Sequence, residues 1–300
     1  MHPAPLVGLR VAPPLRFLSP TKLRTYATCP LQYRHRYVDR LEAPYTPASL
    51  VGQAIHETLE ANFRAKKHTR RDLSLAEAQE IYDRVWERFA PGPADAADPD
   101  DPWEAAYESG RCALEHYLTE AAAALAPHLV EHRFRFTVPS VPWPVVGTVD
   151  LVDQNGTVID FKTSRRPYDA AYLDGDLQLM CYAIGYAAFR AGSRVRPGEL
   201  PSPYFIPDVR VDVLVVADPP SVQRLEARYD REDLREFGER AASIAAGIQD
   251  ERFEAFWRAP DAAENASVCR RCSYVDRCPD ALVSPDELLE ADGEDGDQEE

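Results

Sequence analysis

The stretch Gly147–Ser164, GTVDLVDQNGTVIDFKTS, constrains the fold more than any other part of the chain. Two segments rich in β-branched residues flank Asn155-Gly156, a strong short-range signal for a β-hairpin. Side chains alternate across a strand, so Asp160 and Lys162 share a face of the second segment. Whether Asp150 joins them depends on the turn. A two-residue Asn155-Gly156 loop pairs Asp150 with Phe161 and sends the two aspartates to opposite faces. A three-residue loop, Gln154-Asn155-Gly156 with Gly156 left-handed, instead pairs Asp150 directly with Asp160. The second register gathers Val149, Leu151, Ile159 and Phe161 as a core side, and is the expected one. It places two carboxylates about 5 Å apart, Cβ to Cβ, which destabilises a sheet unless a cation lies between them. Hard oxygen donors suit Mg²⁺ or Mn²⁺. A neighbouring ammonium such as Lys162 then orients water or neutralises charge on a phosphoryl oxygen. A surface hairpin with a salt bridge is the competing account of the same residues.

The content is 45% hydrophobic and 10% aromatic over 300 residues, which describes a folded globular chain with room for a sizeable core. No apolar run is long enough to span a bilayer, so no membrane association is expected. The first residues lack a basic segment followed by an apolar one, so no signal peptide is read and the expected compartment is the cytoplasm. There, six cysteines serve as thiols or metal ligands rather than disulfides. The net charge of −16 does not exclude nucleic acid, because it is unevenly spread. Asp280–Glu300 holds ten acidic residues and no Lys or Arg, and reads as a solvated tail. Arg16–Arg40 holds six Lys/Arg against one acid, Asp39.

Ser19-Pro20 opens a helix that should break near Cys29-Pro30. Val51, Ile55, Leu59 and Phe63 mark the apolar stripe of a second helix. A third is expected over SLAEAQEIYDRVWERFA, and a fourth over Trp103–Leu125, after the loop PGPADAADPDDP. Then the period changes. Strands are expected in LVEHRFRFTVP, VVGTVDLVD and TVIDFKT, a helix in YDAAYLDGDLQLMCYAIGYAAFRAG, strands in RVDVLVVAD and VQRLEARYD, and a long helix in REDLREFGERAASIAAGIQD. This order predicts an α/β or α+β core with a helical insertion.

Two helical positions bear on the hairpin. His56 lies beside its helix's apolar stripe, with Gly52 one turn before it; it is either structural or an additional metal ligand. Gln178 and Tyr182 share a helix face at i, i+4, as a half-buried polar pair or as substrate-positioning groups. Near the other end, SVCRRCSYVDRCPD holds three cysteines, one short of a tetrahedral thiolate site.

GQAIHETLE, GTVDLVD, VIDFKTS and LQLMCY, with the opening LSPTKLRTYATCPLQYRHRY, occur in an order that resembles the RecB-like branch of the PD-(D/E)XK nuclease superfamily, over roughly residues 18 to 280. The resemblance implies a restriction-endonuclease-like α/β core, a mixed central sheet flanked by helices. It divides the chain into an N-terminal extension (1–17), a nuclease domain (18–280) with a helical insertion at about 66–126, and an acidic tail (281–300). It makes His56, Asp150 and Asp160 ligands of Mg²⁺ or Mn²⁺, together with a backbone carbonyl near Phe161. Lys162 becomes the catalytic lysine, with Gln178 and Tyr182 supporting it. The proline of the family's name has no counterpart before Asp150, where Val149 stands.

In the iron–sulfur subset of this family one cysteine comes from the N-terminal helix and three from a C-terminal C-x2-C-x5-C. Cys29, Cys269, Cys272 and Cys278 match that pattern, which implies a [4Fe-4S] cluster, with structural Zn²⁺ as the alternative. Cys112 and Cys181 are expected as packed thiols. Lys22, Arg24, Tyr26, Tyr33, Arg34, Arg36 and Tyr37 form a basic aromatic set that suits single-stranded DNA, or one amphipathic helix with a solvated face. The function expected is a metal-dependent deoxyribonuclease, an exonuclease on single strands or DNA ends in recombination or repair, with a helicase or repair protein as a candidate partner. The alternatives are a DNA-binding or scaffold subunit that works only with a partner, and a CRISPR-adaptation-type nuclease.

Overall fold

The structure is a computed structural model that describes residues 15–43, 45–90, 102–196, 198–255 and 262–283. The N-terminal extension up to residue 14, most of PGPADAADPDDP and the acidic tail from residue 284 lie outside the described residues.

Helix α1 (Pro20–Thr28) stops where expected. Cys29 takes extended backbone (φ −159°, ψ 114°), as a residue before proline prefers, and Pro30 opens the short α2 (Pro30–Tyr33). A π-helical turn, Arg34–Val38, follows. Helix α3 (Pro47–Thr69) begins in a reciprocal cap. Thr46 Oγ1 accepts the Ser49 N–H at 3.2 Å and Ser49 Oγ accepts the Thr46 N–H at 2.8 Å. Val51, Ile55, Leu59 and Phe63 are buried along it, as their spacing predicts. Ser74 and Glu77 cap α4 (Leu75–Phe89) in the same way. Helix α5 (Pro102–Glu120) ends short of the expected Leu125. The chain tightens into a 3₁₀ turn at Ala122–Ala124, where the Lys66 ammonium takes the carbonyls of Ala122 (2.7 Å) and Ala123 (3.2 Å).

Five strands follow: β1 (Pro127–Phe136), β2 (Val145–Asp153), β3 (Val158–Ser164), β4 (Val209–Val215) and β5 (Ser221–Ala227). They lie in sequence order in one sheet, antiparallel except for the parallel pair β3–β4. A parallel pair needs a long crossover, and it contains helix α6 (Leu177–Ala191). The expected helix over Tyr168–Gly192 is thus shorter. Gly175 is left-handed (φ +62°), and the Asp176 carboxylate caps the start by accepting the N–H groups of Gln178 (2.8 Å) and Leu179 (2.9 Å). Helices α7 (Arg231–Gln249) and α8 (Ala262–Arg270) complete the order. The fold is α/β, a mixed five-stranded sheet flanked by helices.

The hairpin adopts the three-residue turn. Leu151 pairs with Ile159 and Val152 with Val158, and the Asp153 N–H donates to the Thr157 carbonyl at 3.0 Å. Gly156 is left-handed (φ +86°), and the Asp153 carboxylate accepts the N–H groups of Asn155 and Thr157, each at 2.9 Å. Leu151, Ile159 and Phe161 enter one apolar core with α3, α4 and α5, and Val149 is equally buried.

Within the span expected as a single nuclease domain the chain groups into two compact units. One contains Phe17–Pro20 and Tyr45–Ala242, and so the whole sheet. The other contains Thr21–Pro44 and the chain from Ser243 onward. Among the described residues no helix is long and apolar enough to cross a membrane.

Helix α6 approaches β1 closely because Gly185 leaves room for the Phe134 ring, which a Cβ there would overlap. We expect Gly185→Ala to destabilise the protein by about 1–3 kcal/mol. Urea unfolding checks this: the midpoint falls at unchanged slope, and Phe134→Leu added to Gly185→Ala recovers part of the loss.

Candidate active site

The hairpin register carries Asp150 to the position opposite Asp160, one step beyond the Leu151–Ile159 pair. The regular ladder ends there. Asp150 Oδ2 accepts the Phe161 N–H at 3.0 Å, so a carboxylate takes a donor that a continuing sheet would have given to a carbonyl. His56, one turn after Gly52 on α3, brings Nδ1 to 3.6 Å from the same oxygen. Gly52 permits that closeness: a Cβ there would lie 3.2 Å from Thr163 Oγ1.

Asp160 is almost fully buried, and its Oδ1 has no hydrogen-bond partner among the described residues. Lys162 Nζ stands 2.6 Å from Oδ2 as an ion pair. Burial pushes the Asp160 carboxyl up, and the Asp150 carboxylate adds to the effect against the pull of Lys162. For Lys162 burial acts downward, but the Asp160 carboxylate outweighs it and holds the ammonium at about 12. Lys162 therefore stays charged. Its Nζ lies 3.5 Å from Gln178 Oε1, a long contact, and Gln178 Nε2 donates to the Tyr182 hydroxyl at 2.6 Å. Asp150, Asp160, Lys162, Gln178 and Tyr182 thus form one connected group, with His56 at its edge.

Sequence reasoning missed Glu131. It lies on β1 between the pairs Val130–Leu151 and His132–Val149, which places it opposite Asp150. Its φ is +47°, rare for a residue with a side chain and costly within a strand. Burial, and the Asp150 and Glu60 carboxylates beside it, push its carboxyl up to about 7, opposed by Arg64. The one signal in the sequence was a single acid inside the expected strand LVEHRF; its register with Asp150 is a property of the sheet.

The cysteines lie in the other unit. Cys29 precedes α2, and Cys269, Cys272 and Cys278 follow one another through the end of α8 and a 3₁₀ turn at Val275–Arg277. Burial raises the thiols of Cys29, Cys272 and Cys278, and the negative charge of neighbouring thiols raises them further: Cys269 acts on Cys29, and both act on Cys272 and Cys278. Backbone N–H groups pull the other way: Leu31 and Gln32 on Cys29, Tyr274 on Cys272 and Asp280 on Cys278. Cys112 is exposed rather than packed, whereas Cys181 is buried, and no disulfide occurs among the described residues.

The basic aromatic set needs a correction. Tyr26 and Tyr33 are buried, Tyr33 stacked on Phe253 and Tyr26 edge-on to it, and the Tyr26 hydroxyl donates to the Arg252 carbonyl at 2.6 Å. Their rings are core and offer no face to a base. Tyr37 is engaged by Lys22 and Arg36 as cation–π partners, and Arg34 meets Asp39 at 3.3 Å. Arg24, Arg34 and Arg36 remain exposed.

A sequence-family model described as the PD-(D/E)XK nuclease superfamily matches residues 17–279. The chain belongs to this superfamily. Asp150, Asp160 and Lys162 of this PD-(D/E)XK nuclease stand where two strands of its central sheet part, which is the geometry just described. Among solved structures it is similar to a "Putative exonuclease" from Eubacterium rectale, with a TM-score of 0.50 and 11% identity, over 91% of this chain and 92% of the other. That likeness concerns the fold alone. The structure of SSO0001 aligns over 88% of this chain and 96% of its own at 15% identity, but its TM-score of 0.30 carries no argument. No curated protein matches the sequence.

A metal ion fits the donor set of this nuclease: a buried carboxylate oxygen with no partner, a second carboxylate opposite, and an imidazole at the rim. Among the described residues no three His, Cys, Asp or Glu side chains already converge on a common point, at the carboxylates or at the cysteines. At the carboxylates, Asp150 Oδ2 is turned to the Phe161 amide and Asp160 Oδ2 to Lys162. Ligation there requires the side chains to rotate toward the ion.

Glu131 gives the group a pH signature in chelator-treated protein. Its carboxyl titrates in the folded chain at about 7, above its ordinary 4.5, so the charged form is disfavoured by folding. Its contribution to stability is complete below pH 4.5 and is lost as pH rises through 7. Glu131→Gln should therefore raise stability at about pH 8.5 by about 1–2 kcal/mol, after allowance for solvent screening of a half-buried group. Melting curves check this, and the gain must vanish near pH 4.5.

Proposed function

We propose that the chain is a divalent-metal-dependent deoxyribonuclease of the RecB-like branch, acting on single strands or DNA ends. The observation that carries this reading is the buried Asp160 carboxylate with an unpartnered oxygen, opposite Asp150 and beside the charged Lys162. A structural aspartate this deeply buried would have both oxygens satisfied. Asp150, Asp160 and His56 would hold Mg²⁺ or Mn²⁺. The bound ion would supply Lewis-acid polarisation of the phosphodiester. The residues do the rest. The Lys162 ammonium, kept protonated by Asp160, offers its donors to a non-bridging phosphoryl oxygen as charge grows there. The Gln178–Tyr182 pair at the start of α6 limits where Lys162 can swing. Without the ion, the Phe161 amide holds the Asp150 carboxylate at the gap between the strands, and ligation would exchange that bond for the metal.

The test uses anaerobically purified protein with Mg²⁺ or Mn²⁺ on linear single strands, circular single strands and duplex, with Asp160→Ala alongside. Cleavage confined to linear single strands or ends, and reduced about 10²-fold or more in Asp160→Ala, is the expected result. Wild-type protein that binds DNA and cuts none of the three with either metal would replace this reading with that of a partner-dependent binding subunit.

The same reading assigns Cys29, Cys269, Cys272 and Cys278 to a [4Fe-4S] cluster. Burial holds the thiols of Cys29, Cys272 and Cys278 up against the smaller pull of backbone N–H groups, so a bound cluster or Zn²⁺ would have to supply the positive charge that stabilises the thiolates. The cluster would be structural, fastening the start of this unit to its end. Protein purified without oxygen is expected to carry iron and acid-labile sulfide. Cys269→Ser should lose both, melt lower and yield less, while keeping its cleavage rate per folded molecule. Zinc in place of iron would favour the Cys₄ zinc site, and a metal-free wild type with the same melting point as the variant would remove the site altogether.

A further inference from the structure

A cavity of about 420 Å³ opens in the sheet-containing unit on the continuation of the two elements that carry the carboxylate site. Thr163 and Ser164 follow Lys162 at the end of β3 and Arg165 comes directly after the strand, so this wall lies about 3–10 Å beyond the lysine along the chain. On α3, Val51 and Ala48 precede His56 by five and eight residues, about 8–12 Å along the helix axis. Ala105 and Ala106 of α5 and Val216 after β4 complete an apolar wall. The α5 side is set close by Gly110, where a Cβ would overlap the Tyr82 hydroxyl and the Val51 side chain.

We propose that this cavity seats an unstacked nucleobase of the nucleotide flanking the scissile phosphodiester, with Arg165 on the next phosphate. The inference rests on the nuclease reading and names what selects single strands. A cavity of this size with mostly apolar walls and a few polar groups at one edge is the kind that holds a flat organic molecule about as large as a nucleoside. The polar edge is suited to it. Thr163 Oγ1 has no hydrogen-bond partner among the described residues, and Ser164 Oγ accepts only the Arg166 N–H, leaving its own proton free. Arg165 is exposed and has neither an ion pair nor a hydrogen bond among the described residues, although the chain is strongly acidic. A guanidinium at the mouth of an apolar cavity, just past the strand that bears Lys162, complements the repeating phosphate of a nucleic-acid backbone. A base in a duplex is held by pairing and stacking and would have to be extracted first, whereas a single strand or frayed end presents it directly.

The experiment measures binding and cleavage separately. Binding is read in the Asp160→Ala protein by fluorescence anisotropy of a labelled thymidine oligonucleotide and of the same strand carrying single abasic nucleotides near one end. The background should bind the intact strand about fivefold or more tighter than at least one abasic strand. Filling the cavity with Ala105→Trp, at an exposed position, should weaken binding of the intact strand about tenfold and abolish the discrimination, with the melting curve unchanged. In the otherwise wild-type enzyme the same substitution should raise KM on single strands more than it lowers kcat. Arg165→Gln should weaken intact and abasic strands alike and reduce the salt dependence of binding by about 0.7 in the log–log slope. Equal affinity for intact and abasic strands in the background, or full affinity in Ala105→Trp, overturns the base pocket while leaving the nuclease reading in place. A wild type that neither binds nor cuts any strand overturns the nuclease reading itself.

Discussion

The site depends on one constraint, the three-residue turn that closes the β2–β3 hairpin. Because the Asp153 carboxylate fixes the amides of Asn155 and Thr157, and Gly156 supplies the left-handed residue, the register admits no slip. A loop one residue shorter would send Asp150 to the other face. The register also explains why the ladder fails where it does. Two carboxylates brought opposite one another in a dry sheet repel, the strands part beyond Leu151–Ile159, and the Phe161 amide released by the parting turns to Asp150. The gap and the donor set are products of the same repulsion.

The rest of the sheet-containing unit keeps that gap in place. Phe161, between Asp160 and Lys162, is stacked on Phe63 of α3 at 5.6 Å and met edge-on by Tyr117 of α5 at 5.7 Å. These contacts pin the backbone of β3 from the core side while Lys162 reaches toward α6. Helix α6 is held against the sheet at Gly185 and capped at Asp176, so Gln178, bonded to Tyr182, meets Lys162 with little freedom. Glu131 shows the same principle from the edge strand: an unfavourable φ and an unfavourable charge occur together, next to the carboxylates that a cation would neutralise.

What was legible in the sequence was local. The hairpin register followed from alternation and a glycine, the α3 stripe from its period, and the break at Cys29 from the proline after it. What escaped depended on residues far apart in sequence. Glu131 is separated from Asp150 by a loop and takes its place by strand pairing alone. The shortened α5 depends on Lys66 reaching carbonyls more than fifty residues away. Tyr26 and Tyr33 were read as an exposed basic aromatic face because aromatic spacing does not reveal a partner, and Phe253 is more than two hundred residues downstream.

A comparison within the same sheet separates a fully satisfied buried carboxylate from an incompletely satisfied one. Asp212 on β4 pairs in register with Phe161, the neighbour of Asp160, and both aspartates are buried almost completely. Asp212 receives Arg210 on both oxygens at 2.5 Å, and the Tyr117 hydroxyl donates to it at 2.7 Å. Every strong acceptor direction is used, as expected of a buried charge that only has to be tolerated. Asp160 has a single ammonium on one oxygen and a second oxygen with nothing donated to it among the described residues. Equal burial with unequal satisfaction, one strand apart, is not a property of the protein interior in general. The sheet completes the coordination of one carboxylate and withholds it from the other, and the one left incomplete lies beside a protonated lysine where two strands part.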